Sequence, residues 1–94
     1  MNQSNNMEDV ISLVIKEALG EVEIGDEHFI ENVSAYDVGQ YLKNLGFQFQ
    51  RVHYDPYEDC GFFDYCNDKV LISVESNGLS KCVVVYGYCL DEEE

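Results

Sequence analysis

The sequence predicts an α+β domain: two amphipathic helices packed on one face of an antiparallel β-meander of about four strands. Three observations predict it. Apolar residues recur at helical spacing over residues 7–19 and again after Ser34, the period falls to two from Phe47 onward, and an Asn77-Gly78 pair sits between two alternating runs.

In the first helix Met7, Val10, Ile11, Val14 and Ala18 share one face, widened by Leu13, Ile15 and Leu19. Glu8 and Asp9 fall in its first turn, where negative charge favours the positive end of the helix dipole, and Gly20 follows as a stop signal. Between 21 and 33, Val22 and Ile24 alternate with Glu21 and Glu23, the pattern of a short edge strand, and Gly25-Asp26 is a turn signal. Ser34 with Asp37 has capping-box spacing and opens the second helix. Its stripe is Tyr36 (or Ala35), Val38, Leu42 and Leu45, and Gly46 ends it.

Strands are expected over Phe47 to Tyr54, Gly61 to Cys66, Lys69 to Ser76 and around Cys82 to Leu90. Asp55-Pro56-Tyr57-Glu58-Asp59 reads as a loop, because proline cannot donate within a central strand. Asn77-Gly78 favours a two-residue type I′ turn, since both central positions need positive φ. That turn opposes Ser76 with Leu79, Val74 with Lys81, Ile72 with Val83 and Val70 with Val85. One face of the hairpin is then Val70, Ile72, Val74, Val83 and Val85, expected under the helices. The other carries Lys69, Leu71, Ser73, Glu75, Cys82, Val84, Tyr86 and Tyr88, enough apolar area to meet a partner or a second copy of the chain.

The 94 residues suit one domain over 7–90, flanked by a polar tail at 1–6 and an acidic tail at 91–94. Charge sets this chain apart. It has 19 Asp and Glu against 5 Lys and Arg, a net charge of -14, where small domains carry a magnitude of about 2–8. Only Lys16, Lys43, Arg51, Lys69 and Lys81 can contact phosphate, which disfavours direct binding to nucleic acid or an anionic membrane. The first seven residues show neither a basic nor an apolar leader, so a cytoplasmic protein is expected. In a reducing compartment Cys60, Cys66, Cys82 and Cys89 are expected as thiols.

Two stretches gather carboxylates without any Lys or Arg. Glu21, Glu23, Asp26, Glu27, Glu31 and Asp37 form the first, and Asp55, Glu58, Asp59, Asp64 and Asp68 the second. Either is expected as a solvated loop or, with the acidic tail, as part of a negative surface that attracts a basic partner in a salt-dependent way. The second stretch is interleaved with Tyr54, Tyr57, Phe62, Phe63 and Tyr65; the tyrosines are candidate interface anchors, and the phenylalanines equally suit the core.

No cofactor or metal is expected. His53 and the four cysteines are ligand types, but C-x5-C and C-x6-C are not the paired spacings of structural zinc, and the acids do not form a calcium loop. Catalysis is not expected either. His28 near Asp26, Glu27 and Glu31, and His53 near Asp55, have carboxylate neighbours but no nucleophile elbow or phosphate loop beside them.

Short length, extreme acidity and an α+β pattern together resemble the small inhibitors that bacteriophages make against host defence enzymes: anti-CRISPR proteins, anti-restriction proteins and the uracil-DNA glycosylase inhibitor. The likeness is one of size and composition over the whole chain, with no family motif, so no residue roles carry over. It implies an acidic inhibitor that blocks the basic groove of a nucleic-acid-processing protein. Two other classes fit the same residues: an immunity or antitoxin protein against a basic toxin nuclease, and a non-catalytic interaction module or homodimer.

Overall fold

The computed structural model describes residues 7–23, 28–57, 59–76 and 82–90. The elements follow in the order α1 (Met7–Ala18), β1 (His28–Glu31), α2 (Ala35–Asn44), β2 (Gln48–Asp55), β3 (Cys60–Cys66), β4 (Val70–Ser76) and β5 (Cys82–Cys89).

Local chemistry explains the helix limits. In α1, Ile11 and Val14 are buried and Glu8 and Asp9 occupy the first turn. In α2 the capping box forms in both directions: Ser34 Oγ accepts from the Asp37 backbone N–H at 3.2 Å, and Asp37 Oδ2 accepts from the Ser34 N–H at 3.2 Å. Gly20 and Gly46 both take positive φ, at 79° and 100°, which lets the chain leave each helix without a side-chain clash.

The strands form one antiparallel sheet in the order β1-β5-β4-β3-β2. Each neighbouring pair is antiparallel, so β1 and β2, at opposite edges, run in the same direction. The chain passes from one edge to the other through α2, which must therefore lie across a sheet face. Tyr65, Ile72 and Gly87 stand in one cross-strand row and hence on one face. A Cβ at Gly39 of α2 would overlap the Tyr65 ring, and one at Gly87 would overlap Val14 of α1. Both helices thus pack on that face, close enough to require glycine at each contact. Between them and the sheet lie Ile11, Val14, Ile30, Val38, Leu42, Phe47, Tyr65, Val70, Ile72, Val74, Val83 and Val85.

The α+β layering agrees with the sequence reading, but the sheet does not match a meander of about four strands. It has five strands, and the fifth, β1, lies outside the β2-β3-β4-β5 meander and borders β5. The described part of the edge strand expected over residues 21–24 is not a strand; Ile24 and the Gly25-Asp26 turn lie outside the described residues. Glu21, Val22 and Glu23 are exposed and outside the sheet, whereas Ile30 is fully buried and pairs with Val83. An apolar side chain that reaches the core selects the strand.

The hairpin register also differs. Val74 pairs with Val85, not Lys81; Ile72 pairs with Gly87, not Val83; and Val70 pairs with Cys89, not Val85. The Asn77-Gly78 turn itself lies outside the described residues. The displacement, 85 minus 81, is four residues. An even displacement keeps every side chain on its face, so Val70, Ile72, Val74, Val83 and Val85 are still buried together.

Candidate partner-binding surface

The sheet face opposite the helices is covered by no described element. It bears Arg51, His53 and Asp55 from β2, Cys60, Phe62 and Asp64 from β3, Leu71, Ser73 and Glu75 from β4, and Val84, Tyr86 and Tyr88 from β5, as the cross-strand pairs require. At its centre is an open cleft of about 570 Å³, lined by Arg51, His53, Phe62, Asp64, Leu71, Ser73, Tyr86, Tyr88 and Leu90.

Asp64 forms the floor of this cleft and is 2% exposed. Arg51 stands opposite it on β2, and the Arg51 Nε–H donates to Asp64 Oδ2 at 3.0 Å. His53 Nε2 lies 3.4 Å from the same oxygen. Oδ1 has no hydrogen-bond partner among the described residues. The His53 ring stacks on Phe62, with centroids 5.1 Å apart and planes 9° from parallel, and Phe62 meets Tyr86 at 6.4 Å. Beside this group the Tyr86 hydroxyl donates to Glu75 Oε1 at 2.7 Å, and the buried Cys60 thiol donates to Glu75 Oε2 at 3.3 Å. Ser73 stands directly opposite Asp64 on β4, so the carboxylate lies between the serine and the histidine. A nucleophile relay needs the histidine in the middle.

The predicted site residues separate into several groups. Asp64 and Tyr65 are not surface residues. Asp64 is the cleft floor, and Tyr65, 7% exposed, faces α2 at Gly39 and meets the Phe49 ring edge-on at 5.5 Å. Burial raises the Tyr65 phenol above the usual tyrosine value. Glu31, Asp37, Tyr54, Tyr57, Asp59 and Asp68 are exposed, and Asp55 is half-buried. Glu21 lines a groove between the helices with Lys16, Leu19 and Tyr41, and Glu23 is exposed beyond it. Asp26, Glu27 and Glu58 lie outside the described residues.

Sheet direction brings four of these acids to one end. Glu31 closes β1 opposite Cys82, the first residue of β5. Asp55 closes β2 opposite Cys60, the first residue of β3. Asp59 directly precedes β3, and Asp37 lies in the first turn of α2, just after β1. The front spans four strand spacings, about 19 Å at about 4.8 Å each. Lys43 in the last turn of α2 and Lys69 in the β3–β4 turn lie at the other end with Asp68, and Arg51 is held at mid-sheet by Asp64. The acidic end is locally fixed. The Tyr54 hydroxyl donates to Asp59, which raises the Tyr54 phenol above its usual value, and Asp55 Oδ1 accepts from the Tyr57 N–H at 2.9 Å. Tyr57 is 95% exposed.

Each histidine meets an acid that its sequence position does not suggest, and Asp26 and Glu27 beside His28 lie outside the described residues. His28 Nε2 meets Glu17 of α1 at 2.9 Å, tying β1 to the helix, because residues 28 and 31 fall on opposite faces of the strand. His53 faces Asp64. Among the described residues no group of three or more His, Cys, Asp or Glu is placed to hold a metal ion, and no helix is long and apolar enough to cross a membrane. The chain matches no protein-family model, no curated protein and no solved structure in these comparisons.

Proposed function

We propose that this chain is a small acidic inhibitor that docks on a basic, nucleic-acid-processing protein and blocks its nucleic-acid groove. The observation that carries this reading is the acidic end of the sheet. Glu31, Asp37 and Asp55 stand there on regular elements and Asp59 in the turn before β3, while the described lysines and Arg51 lie elsewhere. Carboxylates on a fixed backbone can replace phosphates against lysine and arginine, and a net charge of -14 steers encounter with a basic surface. Tyr54 and Tyr57, exposed at the same end, add contact area. A phage protein directed at a CRISPR effector or restriction enzyme is the specific case that this chemistry suits; an immunity protein against a toxin nuclease has the same physics.

The test is affinity capture at low and high salt, with the partner identified by mass spectrometry. Recovery of a nucleic-acid-binding protein that is released by high salt and displaced by added DNA or RNA supports groove blocking. A partner that resists salt and is indifferent to nucleic acid contradicts it.

A further inference from the structure

We propose that the cleft on the uncovered sheet face is a receptor for one arginine side chain of the basic partner. This rests on the reading above, but it assigns a second contact away from the acidic end.

An ionised carboxylate offers about four acceptor positions. The Arg51 Nε–H donates to Oδ2, which His53 Nε2 approaches to 3.4 Å, and Oδ1 has no partner among the described residues although Asp64 is 2% exposed. A buried carboxylate oxygen without a donor is unfavourable, so Oδ1 can accept one further donor group. Asp64 lines the cleft, from which such a donor can come.

The walls select the donor. Tyr86 and Tyr88 give the cleft aromatic walls beside the Phe62 ring, on which His53 stacks, and Leu71 and Leu90 give it aliphatic ones. A guanidinium is planar, stacks on aromatic rings, is more weakly hydrated than an ammonium and presents paired N–H groups to a carboxylate, while its methylene stem suits the apolar walls. With a net charge of -14 the chain favours a cation over an anion at this position. Oδ1 is closed off from solvent, so a donor can reach it only if a lining side chain rotates. The Arg51 side chain, 70% exposed, has the most freedom to do so, against 48% for His53.

The test is an NMR titration of the full chain with two blocked tripeptides, acetyl-Gly-Arg-Gly-amide and its lysine counterpart. The arginine peptide should move the ring resonances of Phe62, Tyr86 and Tyr88 saturably, and the lysine peptide should bind at least about tenfold more weakly. Asp64→Asn should weaken the arginine peptide by at least about tenfold, in line with loss of a charged hydrogen bond. Tyr88→Ala, at a half-exposed wall position, should weaken it several-fold and serves if the Asp64 variant does not fold. No saturable shift, equal binding of the two peptides, or full binding by a folded Asp64→Asn or Tyr88→Ala variant overturns the proposal. Glu31→Lys with Asp59→Asn should leave the peptide affinity within twofold while weakening the protein partner. Loss of peptide binding and loss of partner binding thus report separately on the cleft and on the acidic end.

Discussion

Arg51 and Asp64 form an unequal ion pair: Nε and Oδ2 are 3.0 Å apart, with the arginine side chain 70% exposed and the aspartate side chain 3% exposed. The energetic burden therefore falls on the carboxylate, which has left water, while the guanidinium has largely kept it. Arg51→Ala strands Asp64 with His53 alone and should destabilise the fold by about 1–3 kcal/mol, toward the lower end because solvent screens the exposed partner. The double variant with Asp64→Ala should lose less than the two single losses combined, since it leaves no stranded charge. Urea unfolding midpoints of the four proteins measure this directly, and strict additivity would show that the pair is not coupled.

Close helix contacts give a second prediction. At Gly87 an added Cβ meets the side chain and carbonyl of Val14, so Gly87→Ala should destabilise by about 1–3 kcal/mol. Gly39→Ala meets the end of the Tyr65 side chain. Its loss should be partly restored by Tyr65→Phe, which removes the hydroxyl that the new methyl strikes. Thermal or urea unfolding of the single and double variants reads this. A Tyr65→Phe change that gives no relief would place the strain elsewhere.

The α2 capping box is a local and separable contribution. Ser34→Ala leaves the Asp37 N–H without its side-chain acceptor and should destabilise by about 1 kcal/mol, whereas Ser34→Asp should retain most of the stability. Equal midpoints for wild type and Ser34→Ala would remove the cap from the account of helix α2.

Tyrosine ionisation supplies a pH test. The hydrogen bond to Asp59 raises the Tyr54 phenol, burial raises Tyr65, and burial with the nearby Glu8 and Asp9 charges raises Tyr41. A raised phenol means that the folded state holds the neutral form more firmly than the unfolded chain does. This contribution is complete below the ordinary phenol value, near pH 10, and is lost as pH rises through the higher folded value. Stability should thus fall on the alkaline side, and phenolate absorbance should show tyrosines that ionise late. Asp59→Asn should bring Tyr54 back toward its ordinary value, and asparagine suits this position because residue 59 has φ of 56°. An unchanged Tyr54 titration in that variant would show that Asp59 does not hold its proton.

Much of the fold was legible because it depends on local chemistry. The Ser34–Asp37 box and the glycine stops are short-range signals, and the structure forms them; of the expected helix stripes Ile11, Val14, Val38 and Leu42 are buried, whereas Leu13, Leu19, Tyr36 and Leu45 are exposed. The inward face of β4 and β5 survived a wrong register because side-chain facing depends only on parity. Strand β1 was less visible: in His28-Phe29-Ile30-Glu31 only Ile30 is buried, and its partner β5 lies more than fifty residues away in sequence. The cleft depends on the β2–β3 register, which shifts between Phe49 and Arg51, so the meeting of Arg51, His53 and Asp64 could not be read from spacing alone. Tyr65 faces the core with Phe63 of the same strand, because both fall on the same parity, despite the hydroxyl that made it resemble an interface residue.

The most direct test of groove blocking is the salt dependence of affinity for the captured partner, measured for wild type and for Glu31→Lys with Asp59→Asn. These two positions lie at the acidic end of the sheet, and one is exposed on β1 while the other precedes β3. If carboxylates at this end replace phosphates, wild-type affinity should fall steeply with added salt. The variant should bind at least about tenfold more weakly at low salt and respond less to salt, as expected when interfacial charge pairs are lost. Equal affinity and an equal salt response in a folded variant would contradict the proposal that the acidic end engages the partner.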